Sequence, residues 1–192
     1  MKTKTILSAA AILLCLGSAT LGQKKAAHKT VFTSTYTSLG RGCREIPGEN
    51  GSDGASICRG PGRYQVRVYY SAATTQINAE VRGKDDNFPL ATLALDFDQR
   101  KSRVEWRLAD GKPFAAIFRV PTYDQPTADD QYFGKVIGEQ LLVKGLKGFG
   151  NIDASVNAKR PAANAEARAV ADKAFAEGGD KPAKFTDLQK RH

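Results

Sequence analysis

The clearest pattern in this chain is a series of short segments in which apolar and polar residues alternate. Residues 64–70, 76–83 and 91–99 each place apolar side chains at every second position. Alternation with a period of two is typical of β-strands that bury one face. The side chains expected on the buried faces are Tyr64, Val66, Val68, Tyr70, Ile77, Ala79, Val81, Leu93, Leu95 and Phe97.

Residues 103–120 are predicted to form a β-hairpin, because Asp110-Gly111 is a favoured two-residue turn. The return strand, 114–120, is apolar on nearly both faces. Such a strand is expected to be covered on both sides, with a helix on one of them. On the outgoing strand Val104, Trp106 and Leu108 are expected to point inward and Arg103, Glu105 and Arg107 to point to water.

A helix is predicted between Pro161 and Gly179, since proline is tolerated in a first turn and a glycine pair ends the pattern. Alanine dominates this segment and gives it a high helix propensity. The expected buried stripe is Ala163, Ala167, Val170 and Ala174, with Phe175 beside it. The expected wet face is Asn164, Arg168 and Asp172, in which Arg168 and Asp172 have the spacing of an ion pair.

Further strands are expected at 30–36, 138–146 and 150–158. The pattern therefore predicts an α+β fold over residues 30–177. An antiparallel sheet of about seven strands, arranged as a meander, carries one C-terminal α-helix packed on it. We expect a single domain.

The N-terminus has the features of a secretory signal peptide. Lys2 and Lys4 precede an apolar run, 6–16, that is too short to span a bilayer. Cleavage is expected after Gly22, with Ala19 as the alternative. The expected organisation is a signal peptide (1–22), a flexible leader (23–29), the domain and a disordered tail (178–192). The mature chain is expected to have no transmembrane segment and to be soluble in the periplasm or outside the cell.

Export bears on the cysteines, because an oxidising compartment favours disulfides. With Cys15 removed in the signal, Cys43 and Cys58 remain, too far apart for a C-x-x-C redox motif. A zinc site needs further ligands, and His28 and His192 both lie in the tails. We therefore expect a Cys43–Cys58 disulfide that closes a Gly-rich loop, worth about 3 kcal/mol.

No residue is assigned a catalytic, metal-binding or cofactor-binding role. Histidine-dependent nucleophiles are disfavoured, since neither histidine lies within the predicted fold. Carboxylate pairs leave two alternatives open, glycoside hydrolysis and calcium binding at the loop that holds Asp129. Solvated surface acids explain the same pattern more simply. The acid pairs are Asp85-Asp86, Asp96 with Asp98, and Asp129-Asp130.

Loss of Lys2 and Lys4 with the signal lowers the net charge from +9 to +7. This moderate excess favours loose contact with anionic polymers, but the scattered basic residues are explained more simply by solubility. A contact surface for nucleic acid or another partner would interleave basic and aromatic residues on a sheet face. The candidate residues are Arg67, Tyr69, Arg103 and Arg107. An envelope protein or an anionic polymer is a candidate partner, but solvated arginines that cover the outer surface of a sheet explain the same residues more simply.

Four segments, "GCREI…CRGPGRYQVRV", "PFAAIFRV", "GEQLLVKGL" and "AANAEARAVADKAF", resemble a group of uncharacterised exported bacterial proteins. In that group a disulfide-stapled loop leads into a Gly-Tyr strand, and an Asn-Ala-x-Ala-Arg helix closes the domain. The resemblance covers residues 34–176 and implies export and fold. It implies no activity.

Taken together, the sequence favours an exported, non-enzymatic domain that binds a ligand or partner, or supports the cell envelope. The alternative is a carboxylate-based hydrolase that acts on an extracellular or cell-wall polysaccharide.

Overall fold

The computed structural model of this protein describes residues 29–48, 54–95, 98–127 and 133–178. The predicted signal peptide, the leader up to His28 and the tail beyond Gly178 lie outside these residues, as do Asp96, Phe97, Asp129 and Asp130. In the described ranges no helix is long and apolar enough to cross a membrane.

Strands make up most of the described chain. They are β1 (Phe32–Ser38), β2 (Arg44–Ile46), β3 (Gly54–Arg59), β4 (Tyr64–Tyr70), β5 (Thr74–Val81), β6 (Asn87–Ala94), β7 (Arg103–Ala109), β8 (Lys112–Tyr123), β9 (Val136–Gly145) and β10 (Asp153–Asn157). A short 3₁₀ helix spans Gln99–Lys101, and the helix α1 spans Ala163–Ala176.

The strands form two antiparallel five-stranded sheets. Sheet 1 has the order β1-β7-β8-β9-β10, and sheet 2 has the order β2-β3-β4-β5-β6. The α+β class, the antiparallel pairing and the C-terminal helix are thus confirmed, whereas the single sheet of about seven strands is wrong. Alternation shows that one face of a strand is buried but does not show which element covers that face. It therefore does not distinguish strands of one sheet from strands of two sheets that pack face to face.

The inner faces of the two sheets pack against each other. Val66, Val68 and Ile77 of sheet 2 are fully buried in one cluster with Trp106 and Phe118 of sheet 1. Two polar side chains of this layer are paired across it, whereas the buried hydroxyl of Ser56 has no hydrogen-bond partner among the described residues. The Trp106 indole Nε1 donates to Thr37 Oγ1 at 2.8 Å, and that hydroxyl donates to the carbonyl oxygen of Arg59 at 3.1 Å, which links the sheets.

The outer face of sheet 1 is covered by α1. Ala163, Ala167 and Ala171 are buried against it, because small side chains let the helix lie close to the strands. The helix covers β8 from outside while sheet 2 covers it from inside, as its apolar faces predicted. Four phenylalanine rings hold the C-terminal end of α1 on the sheet, with centroid separations of 4.8 to 5.9 Å: Phe32, Phe114, Phe149 and Phe175.

Three predictions of exposure are wrong for a physical reason. Glu105 and Arg107, expected to point to water, are each only 7% exposed, because α1 lies over β7. Leu95, expected to be buried, is 51% exposed, because β6 ends one residue earlier. The predicted turn at Asp110-Gly111 is confirmed, and both residues have the positive φ (49° and 77°) of the favoured hairpin turn.

The disulfide between Cys43 and Cys58 is present. The β2–β3 register pairs Arg44 with Ile57, which places the two cysteines opposite each other with their Cα atoms 4.2 Å apart. The bridge therefore joins two strands of a hairpin, and Cys58 is anchored in the core at 1% exposure.

Candidate functional site

A groove of about 620 Å³ lies beside α1 on the outer face of sheet 1. It exists because the strands are longer than the helix that covers them. The 14 residues of α1 rise about 21 Å, whereas the 12 residues of β8 extend about 40 Å. The floor is formed by β7, β8 and β9, and Asn164 and Arg168 of α1 form one wall. The size is within the range of small-molecule sites.

Charged side chains hold α1 in register with β7. The Arg107 guanidinium donates to both carboxylate oxygens of Asp172, from Nε at 2.9 Å and from Nη2 at 2.5 Å. The Arg168 guanidinium donates in the same way to Glu105, from Nε at 2.5 Å and from Nη2 at 3.2 Å. Arg168 and Asp172 thus pair with the sheet and not with each other.

The spacing of these two pairs shows that α1 runs along β7. Four helical residues rise about 6 Å, and two strand residues advance about 6.6 Å. Positions 168 and 172 of the helix therefore match positions 105 and 107 of the strand. The next step of the same register brings Asn164 towards Arg103, and both residues line the groove.

Among the described residues of the groove, Arg103 is the exposed cation that lacks an acidic partner. Its guanidinium carbon lies 4.8 Å from the centroid of the Tyr36 ring, and no ion pair joins it to a described residue. The Tyr36 hydroxyl accepts a hydrogen bond from Arg168 Nη2 at 3.0 Å, which fixes the ring, and 45% of Tyr36 is exposed. The register pairs Val104 with Phe118, so that Arg103 lies opposite Arg119 on the same face.

The three groove carboxylates within the described ranges are already held by cations. Arg119 pairs with Glu139 at 3.1 Å, and Asp98 pairs with Arg100 at 3.0 Å. Burial pushes the pKa of Glu105 upward, but hydrogen bonds from Arg168 and Ser34 outweigh burial and bring this pKa below its ordinary value. The hydrogen bond from Arg100 likewise lowers the pKa of Asp98.

The structure divides the predicted contact residues between two faces. Arg67 and Tyr69 lie on the outer face of sheet 2, where Glu80 accepts hydrogen bonds from both side chains. Arg103 and Arg107 lie on the outer face of sheet 1, on the other side of the sandwich. Arg107 is buried beneath α1, so only Arg103 of this set lines the groove. The contact role of either face stays a prediction.

The predicted acid pairs are only partly described. Asp86 accepts from Lys147 Nζ at 2.8 Å, and this hydrogen bond lowers its pKa. Asp98 lines the groove, whereas Asp96 and the Asp129-Asp130 loop, with its possible calcium site, lie outside the described residues. Across the described ranges no group of three or more His, Cys, Asp or Glu side chains is arranged to hold a metal ion.

Sequence reasoning missed Tyr36, Arg119 and Glu139 as groove residues. The charges of α1 and β7 also form one matched series. Glu105 and Arg107, two apart on a strand, carry the charges opposite to those of Arg168 and Asp172, four apart on a helix. Matched charges at those two spacings are the signal that predicts a helix lying along a strand.

No family model, curated protein or solved structure matches this chain. The resemblance to exported bacterial proteins therefore rests on the sequence segments alone. The assignment of a function depends on the geometry of the groove.

Proposed function

We propose that this protein is an exported, soluble, non-enzymatic binding domain, and that the groove beside α1 is its ligand site. One observation carries the proposal: an open groove of about 620 Å³ presents the Arg103 guanidinium on the Tyr36 ring, with no acid of the described chain paired to it. A rigid sheet and a helix fixed to it by ion pairs preorganise this surface for binding.

The groove also has the mixed lining of a small-molecule site. Ile117, Leu141 and Pro121 supply apolar surface, while the arginines supply oriented donors. A polyanion is a poor fit, because every groove cation in the described part of the chain except Arg103 is paired with an acid, which leaves only a small excess of positive charge. The disulfide is consistent with export to an oxidising compartment.

A carboxylate-based hydrolase is the second candidate, because Asp98, Glu105 and Glu139 line one groove. A general acid in such an enzyme needs a raised pKa. The pKa values of Asp98 and Glu105 are shifted in the opposite direction. This argues for binding over hydrolysis. Release of reducing sugar from a cell-wall polysaccharide, lost in Glu139→Gln, would instead favour the enzyme.

The binding proposal is tested by mapping a chemically diverse fragment library, neutral members included, onto the backbone amides by NMR. We expect the hits to perturb amides of β7, β8 and β9 around the groove. Asn164→Trp, which places a large ring in the groove wall, should abolish these perturbations. Ala165→Trp, on an exposed position of the same helix that does not line the groove, is the matched control. Hits that cluster elsewhere, or that survive Asn164→Trp, would refute the assignment.

A further inference from the structure

We propose that the groove recognises the carboxylate of an organic ligand with an apolar body, and that Arg103 and Asn164 bind this carboxylate. The inference rests on the proposed function and specifies the ligand class of the same site. It follows from a gap in the series of charges that joins α1 to β7.

Two steps of that series are complete. Asp172 pairs with Arg107, and Arg168 pairs with Glu105, each through two hydrogen bonds. At the third step the strand again supplies an arginine, Arg103. The helix supplies Asn164, whose neutral amide replaces the acid that the alternation requires. The ligand carboxylate would occupy the position of the missing acid.

The charges around Arg103 favour the binding of an anion beside it. Arg119 lies opposite it across β7 and β8, and like charges at directly opposite positions destabilise a sheet. Arg119 is neutralised by Glu139, whereas Arg103 has the Tyr36 ring as its partner. An aromatic face positions a guanidinium without occupying its N–H groups, which remain available for a bidentate carboxylate contact.

The rest of the groove indicates what the carboxylate is attached to. Apolar side chains from two strands, Ile117 of β8 and Val136 and Leu141 of β9, lie in the same groove together with the Tyr36 ring of β1. Since the other cations that the structure describes in the groove are paired, we expect the site to accommodate one carboxylate. A free organic acid and the C-terminus of a peptide both offer this group next to apolar atoms.

The test compares ligands that differ only in charge. The probes are 4-phenylbutyrate and its neutral amide, with a second arm of a short apolar peptide as its free acid and as its C-terminal amide. Affinities are measured by NMR titration on groove amides. We expect each acid to bind at least about tenfold more tightly than its amide, since a hydrogen-bonded charge contributes that much. The arm with the higher affinity identifies the source of the carboxylate.

Variants separate recognition from folding. Arg103→Gln should reduce acid binding about tenfold and leave amide binding unchanged, whereas Arg59→Gln, on the exposed face of sheet 2, should change neither. Asn164→Asp completes the series of charges. It should raise the melting temperature by about 1–3 °C and reduce acid binding at least about tenfold, because its carboxylate competes for Arg103.

The experiments distinguish a failure of the carboxylate inference from a failure of the proposed binding function. Fragments that bind the groove with acids no tighter than amides would overturn the carboxylate inference and leave the binding function intact. Acid binding that persists in both Arg103→Gln and Asn164→Asp would also overturn the carboxylate inference and leave the binding function intact. Absence of every fragment from the groove would overturn the binding function, and the inference with it.

Discussion

The ion pair between Arg107 and Asp172 should be a measurable anchor of α1 on sheet 1. The Arg107 side chain is 8% exposed and that of Asp172 is 24% exposed. Unit charges about 4 Å apart attract by about 4 kcal/mol at an effective dielectric constant of about 20. Because Asp172 keeps part of its exposure to water, solvent screens the pair, and we expect about half of this attraction to appear as coupling. A coupling of about 2 kcal/mol remains.

The assay is a double-mutant cycle of Arg107→Met and Asp172→Asn, followed by urea unfolding, since urea does not screen charges as guanidinium salts do. Trp106, the single tryptophan, reports unfolding of the core. Lys173 and Glu177 give a matched control cycle on the same helix, 3.8 Å apart and with side chains 78% and 64% exposed. Their coupling should stay below about 0.5 kcal/mol. An Arg107–Asp172 coupling no larger than that of the control would refute the anchoring role.

Three further outcomes follow from the packing. Phe175→Ala removes ring contacts to three other phenylalanines and should destabilise the protein by about 3 kcal/mol in the same urea assay, whereas a loss below about 1 kcal/mol would show that the end of α1 is not held there. The lowered pKa of Glu105 stabilises the fold above its unfolded pKa of about 4.3, and this contribution is lost as pH falls through the lower folded pKa. Between pH 5 and pH 3, therefore, stability should fall less steeply in Glu105→Gln than in the wild type, and parallel curves would contradict the assignment. Joint replacement of Cys43 and Cys58 by alanine should cost about 3 kcal/mol while circular dichroism retains the sheet signal, and a strand content that collapses would make the bridge essential for folding.

Local patterns predicted much of the fold because they depend on neighbouring residues. The inward faces of β4 and β5 follow from strict alternation, and Val66, Val68, Ile77 and Ala79 are fully buried. The helix follows from its alanines and its flanking Pro161 and Gly178. The two apolar faces of β8 correctly predicted cover from a helix on one side.

Local patterns did not predict the contacts between segments that are far apart in the sequence. The division into two sheets depends on which buried faces meet, and the sequence assigns no partner to a face. β2 and β3 were missed because three residues of β2 and the small residues of β3 do not alternate clearly. The groove depends on where α1 lies along β7. The alternation of β7 alone predicts Glu105 and Arg107 on a solvated face, because it contains no information on the position of the helix.

The most direct test of anion recognition in the groove uses a spin-labelled pair of ligands on the isotopically labelled protein. Carboxy-PROXYL and carbamoyl-PROXYL have the same nitroxide ring and differ in a carboxylate against a neutral amide. Equal concentrations of the carboxylate should broaden the amide signals of Arg103, Ile117 and Asn164 far more than the carbamoyl compound does, with signals on sheet 2 unaffected. Equal broadening by both compounds, or strongest broadening on the outer face of sheet 2, would contradict a carboxylate site beside α1.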